Sequence, residues 1–345
     1  MIKSFAALRR FLVAVEEHRA VEHRILASFE DFLDQRYRRP SVLASGRFAY
    51  AQKNFFSSLF LSIYHSLDIT PERRSFYGVI NHCLRGIVTG ADNLLDAEYK
   101  EMLPLDFAPG AIRFKSVMHI LLFDRILCRE VRRAADDGLL EFTQMEPLHK
   151  ALLDALVPIG AEEASEEGGI DVIIPPSEIC SSVHMYKGGK LLCLAFVAPL
   201  HLEANRRLRI AEAGVYSIGM SLQLIDDLTD LFDDLRDRRH NYLASVIQHE
   251  GSGEERRQLA RLREGAQPSG LVETMFPGSV RLVMARAIGE AASGFDSLSE
   301  AGHWIEREQA LQLIRFLFRL RGVKRLLEFF PGEMELRTLD GGVVA

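Results

Sequence analysis

The sequence predicts an all-α protein built as one large helical domain, and three observations lead to that class. Apolar residues recur at positions i, i+3 and i+4 along most of the chain, which is the period of a helix with one buried face. Alternation of apolar and polar residues, which would indicate strands, is nowhere sustained. Hydrophobic residues make up 48% of the 345 residues, enough to bury a large core.

The helical period predicts helices, in chain order, over residues 2–35, 47–66, 73–98, 110–135, 145–157, 178–197, 203–235, 278–295 and 303–330. Prolines and glycines mark the predicted breaks, which fall at residues 40, 69–71, 103–110, 160–176 and 250–277. We expect the acidic segment 160–169 to be a solvated loop and the polar segment 250–270 to contain a short helix. Neither divides the chain, so we predict one domain over residues 1–345.

Composition excludes several classes of partner. The net charge is −6 and no long basic stripe occurs, so nucleic acid is not an expected partner. The four cysteines stand singly, without C-x-x-C spacing, which is typical of reduced core residues. No apolar run reaches the roughly 18–20 residues of a membrane span, and the first residues lack a signal-peptide pattern. We therefore expect a cytoplasmic protein.

The most informative segment is Gly219–Asp234. Asp226, Asp227 and Asp230 fall within about one helical turn, with Gln223 one turn before them. Residues three and four apart share a helix face, so we expect the segment to direct its carboxylates at one point. Buried carboxylates are costly unless they are paired or bind a metal. Oxygen ligands without nearby Cys or His favour Mg²⁺.

A second acidic pair, Asp92 and Asp96, lies upstream with i, i+4 spacing on an apolar helical pattern, and Asn93 follows Asp92. The two acidic groups are 134 residues apart, far enough to lie on opposite walls of one bundle. Two facing carboxylate walls could hold several Mg²⁺ ions, which usually share their coordination with substrate phosphates. We expect the two groups to converge.

On these motifs the chain resembles the trans-isoprenyl diphosphate synthases, the polyprenyl synthetase family of the class I terpenoid synthases. Gly219–Asp234 matches the family's G-x-x-x-Q-x-x-D-D-x-x-D-x-x-x-D without a gap, and the resemblance covers roughly residues 46–242. It implies the isoprenoid synthase fold, a single large helical bundle around a central cavity, and a homodimer. It also implies three Mg²⁺ ions held by Asp92, Asp96, Asp226, Asp227, Asp230 and a diphosphate.

The resemblance also assigns cations to the diphosphates. Lys187 resembles the lysine of the family's K-T-x-x-L segment, with Gly188 in place of the Thr and Lys190 as a competing candidate. Residues 45–50, SGRFAY, resemble a degenerate G-K-x-x-R motif for isopentenyl diphosphate, with Arg47 for the Lys and Tyr50 for the Arg. The other diphosphate-binding candidates are Arg85, Lys100, Gln223 and Arg239, the last preferred over Arg236 and Arg238.

Departures from the family pattern bear on the reaction. The first motif reads D-N-x-x-D, and Lys100 alone stands where members carry an Arg-Arg pair. The resemblance implies ionisation of an allylic prenyl diphosphate, followed by attack of isopentenyl diphosphate, by cyclisation, or by attack of another acceptor. A trans-prenyltransferase of isoprenoid biosynthesis is the favoured interpretation, because the second motif is prenyltransferase-like. Ile87 and Val88, one turn before Asp92, lack aromatic bulk and favour a C15 or longer chain.

Three alternatives remain. A class I terpene synthase needs only one prenyl diphosphate, and a non-catalytic subunit of a heteromeric synthase is compatible with the altered first motif. A ferritin-like di-iron protein would use Glu-x-x-His pairs, and Glu146–His149 and Glu300–His303 have that spacing. Pro147 and Gly302 fall inside those pairs, which disfavours the regular helical turns such a site needs.

Overall fold

The structure is a computed structural model that describes residues 2–40, 46–96, 99–305, 307–320 and 325–326. Within these ranges the regular elements are helices, and the bridge between extended residues joins Arg38 to Leu105. The predicted all-α class is confirmed. Over the same residues, no helix combines the length and the apolar character that a membrane crossing requires.

The α-helices are, in chain order, α1 (Ile2–Phe32), α2 (Arg47–Lys53), α3 (Phe55–Ser66), α4 (Pro71–Leu95), α5 (Ile112–Asp136), α6 (Phe142–Ser165), α7 (Pro176–Ser181), α8 (Leu191–Leu202), α9 (Arg207–Asp237), α10 (Tyr242–His249), α11 (Gly253–Arg263), α12 (Val272–Met275), α13 (Pro277–Glu300) and α14 (Arg307–Leu320). A π-helical turn spans Met185–Lys190, and a 3₁₀ turn spans Gln35–Tyr37.

Packing divides the chain into two compact units, each assembled from separate stretches of sequence. The first unit comprises Met1–Val157, Leu194–Ala211 and Leu298–Trp304, and the second comprises Pro158–Cys193, Glu212–Ser297 and Ile305–Ala345. The single domain over residues 1–345 and its central cavity stay predictions.

In the first unit, α4 is packed closely against α5, and α1 and α3 also contact α4. Glycines permit the close approach of α4 and α5. A Cβ atom on Gly90 would lie 3.1 Å from the carbonyl oxygen of Ser116, and one on Gly86 would overlap the ring of Phe123. Thr70 caps the start of α4 by accepting a hydrogen bond from the backbone N–H of Arg73. This packing fixes the helix whose last turn carries Asp92.

In the second unit, α9 is packed backbone to backbone against the π-helical turn. A Cβ atom on Gly188 would lie 2.7 Å from the carbonyl oxygen of Gly219, so neither position has room for a side chain. Ser221 on α9 donates a hydrogen bond to the carbonyl of Ala287 on α13, at 2.6 Å. Gly188 lies within the π-helical turn itself, where the backbone departs from regular α-helical geometry.

Glu255 joins two other helices of the second unit. It forms a capping box with Ser252 at the start of α11. Its carboxylate also accepts hydrogen bonds from the backbone N–H groups of Gly278 and Ser279, at 3.0 and 3.1 Å, in the first turn of α13. The short helix that we expected within 250–270 is therefore α11, and it is tied to α13.

Several parts of the predicted helix pattern are wrong. The predicted helix 47–66 is two helices, α2 and α3, and the predicted helix 178–197 is divided among α7, the π-helical turn and α8. The short helix α12 lies within the predicted break 250–277. The acidic segment 160–169 was expected to be a loop, but α6 continues to Ser165, and Glu166 just beyond it is buried. The segment is held against the protein because Glu163 and Glu166 each form an ion pair with Lys187. The helix α10 was not predicted, although Asn241 caps its start by accepting a hydrogen bond from the N–H of Ala244.

Candidate functional site

The second acidic motif lies on α9, where its aspartates occupy two faces of the helix. Asp227 is buried, with 3% of its surface exposed. Asp226 is half-buried and Asp230 is exposed. Consecutive residues of an α-helix are about 100° apart around its axis. The expectation of one shared face therefore holds for Asp226 and Asp230, while Asp227 points into the protein.

The carboxylate of Asp227 accepts hydrogen bonds from three donors. One oxygen accepts from Nε2 of Gln223 on the same helix, at 3.0 Å. The other accepts from Nε2 of His184, at 2.9 Å, and from the backbone N–H of Tyr242. Tyr242 is the first residue of α10. Asp227 therefore connects α9 to the start of α10 and to the segment just before the π-helical turn.

His184 is a charged partner of Asp227. Its ring has 1% of its surface exposed and lies against the ring of Tyr242, with 5.5 Å between the centroids. Burial alone would lower the pKa of His184, but the negative charge of Asp227 and their hydrogen bond raise it to about 9. At neutral pH the pair is therefore an imidazolium bound to a carboxylate.

Asn241 connects two aspartates of α9. Its side-chain amide donates to the backbone carbonyl of Asp227 and to the carboxylate of Asp234, both at 2.8 Å. Burial raises the pKa of Asp234 to about 7, and the charges of Asp227 and Asp230 act in the same direction. The C-terminal half of α9 therefore carries crowded negative charge.

Lys187 lies in the π-helical turn and forms two ion pairs. Its ammonium is 2.9 Å from a carboxylate oxygen of Glu166 and 3.2 Å from one of Glu163. Burial alone would lower the pKa of Lys187, but these two carboxylates raise it. The competing candidate Lys190 is exposed. No pattern in the sequence indicates that Lys187 has two acidic partners.

The three arginines in the last turn of α9 and just after it have different surroundings. Arg236 is exposed and pairs with Asp233 and Asp237, as a solvated helix end does. Arg238 bonds the carbonyl of Ile170 and pairs with Asp171. Arg239, the preferred candidate, lines a small pocket together with Asp234 and Asn241.

The first acidic motif forms the last turn of α4. Asp96 caps this helix, and its backbone N–H donates to the carbonyl of Asp92 at 2.8 Å. Two carboxylates at the C-terminal end of a helix oppose the helix dipole, which favours a nearby cation. Asp92 is half-buried and Asp96 is exposed.

Asn93 of the first motif is an internal link. It has 1% of its surface exposed. Its amide nitrogen donates to the backbone carbonyl of Lys100 at 3.1 Å, and its amide oxygen accepts from the N–H of Lys100 at 2.8 Å. The Asn93 side chain therefore bonds both backbone groups of Lys100, as a neighbouring backbone segment would. The Lys100 residue itself is exposed.

The segment that resembles the isopentenyl diphosphate motif and the diphosphate candidate Arg85 both lie in the first unit. Tyr50 is buried and its hydroxyl is 2.8 Å from Nδ1 of His18. Arg85 donates to the side-chain oxygen of Asn54 at 3.1 Å, and burial lowers the pKa of its guanidinium. Ser45 and the side chain of Arg47 lie outside the described residues.

The donor set fits Mg²⁺. In the part of the chain that the structure describes, no three His, Cys, Asp or Glu side chains form a metal site by themselves. Mg²⁺ is usually bound through one or two carboxylates, waters and substrate phosphates, so such a set is not required. Asp226 and Asp230, one turn apart on α9, would supply two such carboxylates. Burial is the main cause of the raised pKa of Asp234, and the charges of Asp227 and Asp230 add to it.

Sequence reasoning missed the partners that hold the motif residues. They are His184 and Asn241 for the second motif, and Glu163 and Glu166 for Lys187. A signal existed for one of them, because an asparagine before an apolar helical pattern is a typical N-cap. The others depend on contacts between distant parts of the sequence.

Solved structures share this fold. A decaprenyl diphosphate synthase from Rhodobacter capsulatus aligns with 91% of this chain and 97% of its own, with a TM-score of 0.60 and 15% identity. Geranylgeranyl pyrophosphate synthetase from Pyrococcus horikoshii Ot3 aligns with 90% of this chain and 98% of its own, with a TM-score of 0.59 and 13% identity. Octaprenyl pyrophosphate synthase from Helicobacter pylori aligns with 88% of this chain and 98% of its own, with a TM-score of 0.57 and 13% identity.

No family model matches the sequence, and no curated protein matches it. The structural likeness confirms the resemblance at the level of the fold, which is that of the prenyl diphosphate synthases named above.

Proposed function

We propose that the chain is an Mg²⁺-dependent enzyme that ionises an allylic prenyl diphosphate, and that it acts as a trans-prenyltransferase of isoprenoid biosynthesis. One observation supports this most strongly. The complete second acidic motif lies on α9 with Asp226 and Asp230 on the outward face, in a chain with the fold of prenyl diphosphate synthases. The likeness in fold alone would leave the reaction open.

The proposed roles follow from charge. Asp226 and Asp230 on α9, and Asp92 and Asp96 at the end of α4, are the proposed Mg²⁺ ligands. When bound, Mg²⁺ supplies Lewis-acid stabilisation of the leaving diphosphate. Further diphosphate contacts are assigned to Lys187, Lys100, Arg85, Arg239, Gln223 and Arg47. Among these, Lys187 is held by Glu163 and Glu166, so binding a diphosphate there would require an exchange of partners.

The chemistry begins with breakage of the allylic C–O bond. The electron pair leaves with the diphosphate, and an allylic cation remains. In the proposed transfer, the double bond of isopentenyl diphosphate attacks this cation and a proton is then lost. Cationic side chains that are already fixed in place stabilise the leaving group without a cost of reorganisation.

Cyclisation of one prenyl diphosphate is the second candidate. It is favoured by the surroundings of Tyr50 and Arg85, since Tyr50 is buried against His18 and Arg85 is bonded to Asn54. Tyr50 is not a cation and Arg85 already bonds Asn54, so fewer cationic groups are available to a second diphosphate. A third candidate, the non-catalytic subunit, is favoured only by the altered first motif.

A product analysis separates these candidates. The purified chain is incubated with farnesyl diphosphate and Mg²⁺, with and without isopentenyl diphosphate, and the products are identified by mass spectrometry. Longer diphosphates that require isopentenyl diphosphate support prenyl transfer. A hydrocarbon or alcohol formed without it supports cyclisation. No product and no released diphosphate from C10, C15 or C20 substrates would contradict both and favour the subunit.

A homodimer is part of the proposal. On α5, Phe114, Val117 and Leu121 follow one another at i, i+3 and i+7 and expose 52%, 39% and 49% of their surfaces. Such an apolar stripe is suited to a second copy of the chain. Light scattering after size exclusion is expected to give twice the chain mass for the wild type and the monomer mass for Leu121→Glu. A monomeric wild type would contradict it. The cytoplasmic location and the three Mg²⁺ ions stay predictions.

A further inference from the structure

We propose that His184 is a positioning residue, which holds Asp227 as the buried anchor of α9 and thereby orients Asp226 and Asp230 toward the metal. On this view Asp227 is not itself an Mg²⁺ ligand. The part of the inference that concerns Mg²⁺ binding and catalysis rests on the proposed function. The structural part of the inference concerns only side chains of the second unit.

The first step is the occupation of the Asp227 carboxylate. A carboxylate has about four lone-pair positions, and three of them already accept hydrogen bonds from Gln223, His184 and Tyr242. The group is also closed off from solvent, with 3% of its surface exposed. Mg²⁺ requires near-octahedral geometry and keeps several waters. An ion at Asp227 would have to displace these bonds and bring water into the core.

The second step is the position of His184. Its ring is buried, bonded to α9 through Asp227, and packed on Tyr242 at the start of α10. In sequence it directly precedes the π-helical turn that carries Lys187. One side chain therefore joins three elements of the candidate site. Without it, the buried Asp227 side chain would lose its ion-pair partner at 2.9 Å, which is strongly unfavourable.

The third step is the rotation of α9. Asp227 lies about 100° around the helix from Asp226, so fixing one sets the direction of the other. Asp230 is one turn from Asp226 and shares its face. Asn241 supports the same arrangement by bonding the backbone carbonyl of Asp227. The anchor therefore determines where the two outward carboxylates point.

Substituting both residues of the pair together distinguishes two roles for Asp227, that of a buried anchor and that of a metal ligand. His184→Gln alone removes the ring that bonds the buried Asp227, and Asp227→Asn alone removes the carboxylate that accepts from His184. The double variant His184→Gln/Asp227→Asn restores a neutral, hydrogen-bonded pair. The matched control is Asp226→Asn, which removes one carboxylate from the neighbouring position on the outward face.

Two readouts are measured on each variant. The first is the thermal unfolding midpoint in Mg²⁺-free buffer, which needs no substrate. We expect each single change to lower the midpoint by several degrees and the double variant to recover at least half of the summed loss. Additive losses in the double variant would overturn the pairing of His184 with Asp227.

The second readout is a titration with Mg²⁺ in the presence of inorganic diphosphate. It gives the Mg²⁺ concentration at which the unfolding midpoint has risen by half of its maximal increase. We expect this concentration to rise at least tenfold in folded His184→Gln and to return to within threefold of wild type in the double variant. Asp226→Asn should abolish the response, with or without His184→Gln. A double variant that folds but responds as poorly as Asp226→Asn would identify Asp227 as a ligand and overturn the proposal.

A milder variant covers the case in which the single changes do not fold. Tyr242→Leu removes the ring that packs on His184 and keeps the backbone N–H that bonds Asp227. It is expected to raise the half-maximal Mg²⁺ concentration about threefold, and no change would contradict the proposal. Failure of the proposed function would be visible separately, as absence of turnover in a wild type that still shows the unfolding pattern.

Discussion

The two acidic motifs can be compared position by position. In both, the residue after the first aspartate is buried and bonds to backbone groups. Asn93 on α4 and Asp227 on α9 expose 1% and 3% of their surfaces. Asn93 bonds the backbone of Lys100, and Asp227 accepts the backbone N–H of Tyr242. Each side chain holds the segment that follows its own helix.

The motifs differ in charge at this position. Asn93 is an amide and its hydrogen bonds are to backbone groups, whereas Asp227 is an acidic residue that also accepts a hydrogen bond from the His184 ring. The asparagine therefore need not mark a lost metal ligand, because the corresponding residue of the second motif also points into the protein. The outward residues Asp92, Asp96, Asp226 and Asp230 are the ones that the motifs have in common.

The largest expected effect is on the outward aspartates. Asp226→Asn and Asp92→Asn should each lower diphosphate release by at least about 100-fold, because each removes charge that binds Mg²⁺ at the leaving group. The unfolding midpoint should stay near that of the wild type. The control is Asp233→Asn, whose side chain is 68% exposed and pairs with Arg236. Near wild-type release by Asp226→Asn would break the comparison.

The next effect concerns the inward residue of the first motif. Asn93→Ala leaves the N–H and C=O of Lys100 without their partner and should cost about 2–4 kcal/mol of stability. Asn93→Asp should also destabilise, since a carboxylate cannot donate to the carbonyl of Lys100. Chemical denaturation measures both. If Asn93→Asp instead raised diphosphate release, the position would be a metal ligand and the parallel with Asp227 would fail.

The buried histidines predict opposite pH responses in the two units. In the first unit, burial lowers the pKa of His18 and of His303 to about 3. Their neutral forms stabilise the fold above pH 6.5, and this contribution is lost as the pH falls toward 3. In the second unit, the pKa of His184 is about 9, so its contribution is complete below pH 6.5 and is lost as the pH rises to 9.

Hydrogen exchange measured by mass spectrometry can resolve these responses, after correction for the intrinsic exchange rate. We expect α1 to lose protection at pH 5 and α10 to lose protection at pH 9. Each group changes the free energy of unfolding by up to about 1.4 kcal/mol per pH unit within its window. Equal pH profiles in the two units would contradict the assigned charge states.

The smallest expected effect is at the turn between α9 and α10. Arg238 has a φ of 57°, a left-handed conformation that costs a non-glycine residue about 1–2 kcal/mol. Arg238→Gly relieves this strain but removes the ion pair with Asp171. The net change in stability should stay within about 1 kcal/mol, measured by chemical denaturation. A larger loss would show that the Arg238 side chain helps to hold the start of α10.

Much of the fold followed from periodicity alone. The helix predicted over residues 203–235 is α9, Arg207–Asp237, and the helix predicted over 110–135 is α5, Ile112–Asp136. Both segments carry a long apolar stripe, and the predicted break at 103–110 marks the start of α5. The same reasoning could also have separated Asp226 from Asp227, because neighbours on a helix never share a direction.

The rest of the site depends on contacts that local sequence does not encode. His184 is 43 residues from Asp227, and Tyr242 is 15 residues from it. The acidic segment after residue 160 has the composition of a solvated loop, yet Glu163 and Glu166 pair with Lys187. Their i, i+3 spacing fits one helix face, but only the position of Lys187 decides between helix and loop.

The most direct test of the central claim is the release of inorganic diphosphate from geranyl, farnesyl and geranylgeranyl diphosphates by the purified wild-type chain. We predict release from at least one substrate in the presence of Mg²⁺, and loss of that release when EDTA is added. No release from any of them with Mg²⁺, or the same rate with EDTA, would contradict the account.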